Sequence, residues 1–221
     1  MRGRNLILTL ALALAAGATP AGAATQAASH RRTVDASDVP SLHQVDRITP
    51  VSSRGIEDDG PIWIFRPDCS AYDPTHGPQG IESTFAYYYG AGDTDPTAYV
   101  RVHEFASVGD AKRAIRKIRH NAASCYGVRH DPVINGTLIV RGADVPSLGA
   151  GRPAAWKIND HWRDIDTHMR NVLFSRHIWM REGRTLVGVE LWVQTVGPHD
   201  PPPISRSATI RLARLALRTN D

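Results

Sequence analysis

Two long stretches near the end of the chain alternate apolar and polar residues with a period of two, a pattern that fits a sheet. They run from Asn171 to Met180 and from Thr185 to Val196, and flank Arg181-Glu182-Gly183-Arg184. In the first, Val172, Phe174, Ile178 and Met180 share a face. In the second, Val187, Val189, Leu191 and Val193 share one, with Leu186, Glu190 and Trp192 opposite. Successive strand residues point to opposite faces, so the pair predicts a long antiparallel hairpin.

A helix upstream is expected to lie on that sheet. In Ser107 to Cys125, Val108, Ala111, Ile115, Ile118, Ala122 and Cys125 recur at steps of three and four, which places them on one helical face. Ser107 with Asp110 is a capping-box-like start, and Gly127 sits where a left-handed stop belongs. The apolar stripe ends in one of only two cysteines, so the helix is expected to be tied covalently to the sheet.

Further strands are expected at Val45 to Val51, Ile81 to Tyr89, Ala98 to Phe105, Val133-Ile134, Thr137 to Arg141 and Ala154 to Ile158, and Ile62 to Phe65 is a short apolar run before Pro67. Phe85, Tyr87 and Tyr89 share one face of their strand; Tyr99, Arg101, His103 and Phe105 share one of the next. Asp35 to Leu42 reads as a short helix limited by Pro40. A last helix, Ile204 to Leu217, puts Ile204, Ala208, Leu212 and Leu215 on one face and Arg211, Arg214 and Arg218 on another. The sum is an α+β domain: a mostly antiparallel β-sheet with two main helices packed on it and one disulfide.

The address comes from the first residues. Arg2 and Arg4 precede a short apolar run, Leu6 to Ala16, and Ala21-Gly22-Ala23 is a small-residue cleavage site. Residues 1–23 therefore read as a secretory signal peptide, residues 24–34 as a disordered polar linker, and residues 35–221 as one domain. The apolar run is too short to span a membrane, and no cysteine follows it to carry a lipid. The expected location is extracellular, without a transmembrane segment in the mature chain. In that oxidising setting Cys69 and Cys125 read as a disulfide, with two free thiols as the alternative. The formal charge of +4 falls to +2 once Arg2 and Arg4 leave, which gives no reason to expect a nucleic-acid partner. Only three of the 26 basic residues are lysine, a usage typical of high-GC bacteria.

The stretch FASVGDAKRAIRKIRHNAASC after a strand ending in Phe105, the NVLF strand at Asn171 to Phe174 and the Arg-rich last helix together resemble a known family. They are similar to the secreted and lipoprotein sensor-domain proteins of actinobacteria, related to the extracellular domain of PknH-type serine/threonine kinases. The resemblance covers roughly Asp35 to Thr219. It implies a sheet-and-helix domain with an open cleft that binds an extracellular ligand, without known catalysis. The chain carries no kinase domain and has two cysteines where the kinase version has two disulfides. It also lacks the tryptophan often found shortly before the helix cysteine. A free ligand-binding or cell-envelope protein is thus expected, with an unknown small molecule or envelope component as its partner.

Three sets of residues are candidates for chemistry. The aromatics Phe85, Tyr87, Tyr89, Trp156, Trp162, Trp179 and Trp192 are shared between core packing and a ligand-binding cleft wall on any sheet face left uncovered. The exposed side of the first helix, with Lys112, Arg113, Arg116, Lys117, Arg119 and His120, fits an anionic envelope surface as well as a solvated face. The cluster Asp160 to His168 is either a solvated loop or, for a small secreted hydrolase, a source of acid and base groups. His161 and His168 are seven apart, and no HExxH spacing occurs. Asp93-Thr94-Asp95 lacks the later residues of a calcium loop. No GxSxG elbow, phosphate loop or complete dinucleotide fingerprint is present. The reading is a non-catalytic domain with no cofactor and no metal, the hydrolase and the envelope-polymer binder being the alternatives.

Overall fold

A single eight-stranded sheet, antiparallel throughout, organises residues 33–220. The computed structural model describes residues 33–58, 60–69, 72–73, 76–92, 94–131, 136–163, 168–197 and 200–220. Residues 1–32, which take in the expected signal peptide and most of the expected linker, and Asp93, Val133-Ile134-Asn135, Asp164 and Asp166 lie outside the described residues.

The chain begins with a 3-10 turn, Ala36–Asp38, and then α1, Leu42–Asp46. Pro40 ends the first, as expected, but Ser41 and Gln44 form a capping box that restarts the chain as helix. The strand expected over Val45 to Val51 is therefore displaced to β1, Ser53–Asp58. A short two-stranded sheet follows, β2 (Ile64–Phe65) with β3 (Tyr72–Asp73). Next come β4 (Glu82–Tyr89), β5 (Thr97–Glu104) and α2 (Val108–Ser124). Ser107 caps α2, accepting from the Asp110 N–H, as its sequence predicts. Then come β6 (Gly127–Asp131), which the sequence pattern did not signal, and β7 (Gly136–Gly142). β8 (Ala154–Arg163) continues five residues beyond its expected end. The hairpin is β9 (Arg170–Glu182) with β10 (Thr185–Val196), and α3 is Arg206–Thr219. The strand order is β1-β4-β5-β10-β9-β8-β7-β6.

The two main helices cover opposite faces of the sheet. On one, Leu212, Ala213 and Ala216 of α3 pack on Ala86, Tyr88, Val100, Val102, Ile178, Val187 and Val189. Tyr88 is buried there and its hydroxyl donates to Pro40 O at 2.5 Å, which ties the N-terminal segment to β4. On the other face, Ala111, Ala114, Ile115, Ile118 and Ala122 of α2 pack on Leu138, Val140, Trp156, Ile158, Trp179 and Leu186. Those residues belong to β7, β8, β9 and one end of β10, so α2 covers only that half of its face.

Cys69 and Cys125 form the expected disulfide, with their Cα atoms 5.5 Å apart and both side chains buried. It does not tie α2 to the main sheet. It joins the end of α2 to the segment around β2, which lies against the helix. Asn121 adds a second clamp: its Nδ2 donates to Phe65 O and its Oδ1 accepts from Phe65 N, both at 2.8 Å. Among the described residues no helix is long and apolar enough to cross a membrane.

Candidate functional site: an aromatic cleft beside the first long helix

Where α2 stops covering its face, the alternation of β4, β5 and β10 leaves a row of rings in the open. The odd residues Phe85, Tyr87 and Tyr89 of β4 point away from α3, and Tyr99 and Arg101 of β5 do the same. Trp192 and Glu190 of β10 join them, because Glu190 pairs with Tyr99 and both lie opposite Val189 and Leu191 of the core. The rings form a continuous path: Tyr89 to Tyr87 at 5.3 Å, Tyr87 to Phe85 at 5.7 Å, Phe85 to Tyr99 at 5.3 Å, and Tyr99 to Trp192 at 6.2 Å between centroids. These side chains, with Leu173 of β9, line a cleft of about 580 Å³.

β1, the neighbour of β4 in the sheet, and the segment before β2 complete the lining of the cleft. Glu57, Gly60, Pro61 and Trp63 line it. Trp63 is exposed to the cleft side while its neighbours Ile62 and Ile64 are buried in the cluster under α2. The period of two splits this short run between a core and a cleft. The disulfide and Asn121 therefore hold one wall of the cleft in place.

An ion pair sits at the floor. Arg101 Nη1 lies 3.3 Å from Glu190 Oε2, and the guanidinium covers the faces of Phe85 at 4.6 Å and Tyr99 at 5.1 Å. This is the only contact Arg101 makes with an acceptor among the described residues, so the remaining donors of its fork are available to a ligand. Behind the pair, His177 Nδ1 lies 3.6 Å from Glu190 Oε2, and His177 Nε2 is 2.8 Å from Ser175 Oγ. His177 stacks on Trp156 at 5.0 Å with the planes 9° apart. Burial holds its pKa below the usual range against the pull of Glu190, so the ring is neutral. Tyr99 is pushed up to about 12, first by burial. Trp192 Nε1 acts on that phenol in the opposite sense but does not form a well-made hydrogen bond with it.

Ser175, His177 and Glu190 thus stand in the order of a nucleophile, a base and an acid. Ser175 is 3% exposed and His177 2% exposed, so both side chains are largely screened from solvent. The row works as a polar brace that fixes Glu190 from behind.

The candidate residues divide cleanly. Tyr87, Tyr89 and Trp192 line the cleft. Trp156 and Trp179 do not: both are buried under α2, because β8 and the end of β9 lie in the covered half. Trp162 lies on β8, two strands away from β10, with its Cα and Cβ beside Gly136 of β7. Phe85, which the stripe also suggested, belongs to the cleft, and Tyr99, Arg101, Glu190, Trp63 and Leu173 join it unforeseen. The facing positions of β4 and β5 were visible as alternation; their pairing with β10 was not.

Asp160 and His161 are neighbours on β8 and so project to opposite faces. His161 packs edge-on against Phe174, and no hydrogen bond joins it to His168. On α2, Lys112 and Arg116 are exposed, but Lys117 donates to His76 O and Arg119 to Arg152 O, while Arg113 pairs with Asp110. Much of that basic face is engaged with the protein itself. Among the described residues no three His, Cys, Asp or Glu side chains converge as metal ligands do.

No family model matches the sequence, and no curated protein matches it significantly. Among solved structures, the extracellular domain of PknH from Mycobacterium tuberculosis superposes with a TM-score of 0.52 at 14% identity, over 83% of this chain and 93% of that one. LpqN, involved in cell envelope biogenesis of the same organism, is matched with a TM-score of 0.26 at 13% identity, over 76% of this chain and 81% of that one, too loose a superposition to build on. The chain has the fold of the PknH extracellular domain.

Proposed function

We propose that this chain is a secreted, non-catalytic ligand-binding domain of the cell envelope, and that its ligand is a small ring-bearing molecule held in the aromatic cleft. The observation that carries the reading is the half-covered sheet. One end of a face is sealed by α2, and the other presents a continuous row of rings with an Arg–Glu pair at its floor. Exposed aromatic rows cost solvation, and a soluble domain keeps one where something covers it. The rings offer faces for stacking, and the free donors of Arg101 offer orientation. The fold shared with a kinase's extracellular domain, the disulfide and the leader-like first residues support an extracellular address.

The test is a displacement assay on the mature, oxidised protein. Anilinonaphthalene sulfonate, a ring-bearing fluorescent dye, is expected to bind and to be displaced by some members of a panel of envelope fragments. Trp192→Ala and Tyr87→Ala should each weaken dye binding about tenfold, as loss of one stacking face predicts, while Trp162→Ala leaves it unchanged. Dye binding that survives both cleft changes would defeat the proposal.

A further inference from the structure

A cluster of exposed arginines lies on the other side of the sheet. Arg211, Arg214 and Arg218 of α3, at steps of three and four, share a helical face. They meet Arg47, the residue that caps α1, and with Gln44, Ile48 and Leu215 they line a groove of about 310 Å³. Leu215 is buried and Ile48 half-buried, so the floor is apolar and the rim cationic. No acidic side chain lines it. The nearest acid in sequence, Asp46, is turned to the Val51 N–H at 3.2 Å. Arg211 reaches Ile48 O at 3.4 Å; Arg47, Arg214 and Arg218 make no hydrogen bond or ion pair among the described residues.

Four guanidiniums on two elements with no acid among them repel one another, and only that of Arg211 has a backbone acceptor; they stand in a chain whose formal charge without residues 1–23 is only +2. On α2, by contrast, the cations are largely engaged by Asp110 and by backbone carbonyls. We infer that the groove between α1 and α3 is a binding site for a phosphate ester, separate from the aromatic cleft. A phosphate group presents several oxygens and up to two charges, and so can engage more than one guanidinium fork; a carboxylate fills one. The concave shape suits a discrete group. Among the described residues none of the large exposed apolar side chains belongs to α1 or α3, which favours a discrete phosphate group over a bilayer surface.

Calorimetric titration of the mature protein with tripolyphosphate in about 150 mM NaCl, where exposed charges are screened beyond about 8 Å, tests the site. Saturable binding is expected, weakened on the order of tenfold per arginine removed in Arg214→Gln/Arg218→Gln. The α2 pair Arg113→Gln/Arg116→Gln should bind as the parent does. All four side chains are exposed, so melting temperatures should stay close to the parent's and confirm intact folds. No saturable binding would overturn the inference. So would equal losses in both double variants, or capture by phosphatidylglycerol vesicles without binding of tripolyphosphate, since both report diffuse charge attraction.

Discussion

Gly55 sets the geometry of the cleft's outer edge. It pairs with Tyr87 across β1 and β4, and the Tyr87 ring lies over it so closely that a Cβ on Gly55 would stand 2.0 Å from the ring. Gly55→Val is expected to expel the ring, lower stability by roughly 1–3 kcal/mol in urea unfolding, and weaken dye binding. Gly188 plays the same part under Trp179, whose ring lies 2.7 Å from the position of an added Cβ, but in the core. Two histidines set the acid limit. His103, tilted against Trp179 with ring centroids 5.8 Å apart, is lowered to about 3, by burial first and then by the Arg101 charge; His177 is lowered for the same first reason. Both are neutral in the fold but take up protons near pH 6.5 when unfolded. The depressed value of His103 adds stability that is complete above pH 6.5 and is lost as pH falls toward 3, at up to roughly 1.4 kcal/mol per pH unit, and that of His177 acts in the same direction. Melting temperatures should therefore drop between pH 6.5 and 4, and His103→Phe should flatten that slope; an unchanged slope would contradict the assignment. None of this was legible in the sequence, where nothing marks which of the ten histidines are buried or that a ring lies over Gly55.

The segment from Gly60 to Cys69 shows how a covalent tie acts on a functional surface. Ile62 and Ile64 anchor it under α2, Asn121 pairs with Phe65, and the disulfide closes the end, so that Trp63 is held over the cleft. Removing the bond by Cys69→Ser with Cys125→Ser should cost about 4 kcal/mol on the chain-entropy account of a loop this long. It should also weaken cleft binding more than heating alone explains, because one wall is freed. Binding unchanged at equal folded fraction would separate the clamp from the cleft. At this scale the sequence was informative. The helical stripe and cap of α2, the β9–β10 hairpin and the disulfide were each written in local periodicity or in cysteine usage. The first strand was misplaced because Ser41 and Gln44, a capping box, outweighed the apolar residues after them. β8 was cut short because Asp160, His161 and Arg163 look like loop residues; the pairing with β9, down to Arg163 opposite Arg170, extends it.

On the scale of the whole molecule, the decisive fact is unequal cover. The sheet has eight strands and α2 has 17 residues, so one helix cannot seal a face of that width. The sequence announced an aromatic stripe but not which strands would lie beside α2, since strand order depends on long-range pairing of β5 with β10. That order sends Trp156 and Trp179 into the core and Tyr87, Tyr89 and Trp192 to the cleft. Hydrogen–deuterium exchange on the mature protein, with and without the tightest-binding fragment from the displacement panel, reads the central claim directly. Ligand-dependent protection should concentrate in β4, β5, β10 and the segment 60–65. Protection confined to α2, or to the β6–β8 half of the sheet, would contradict it.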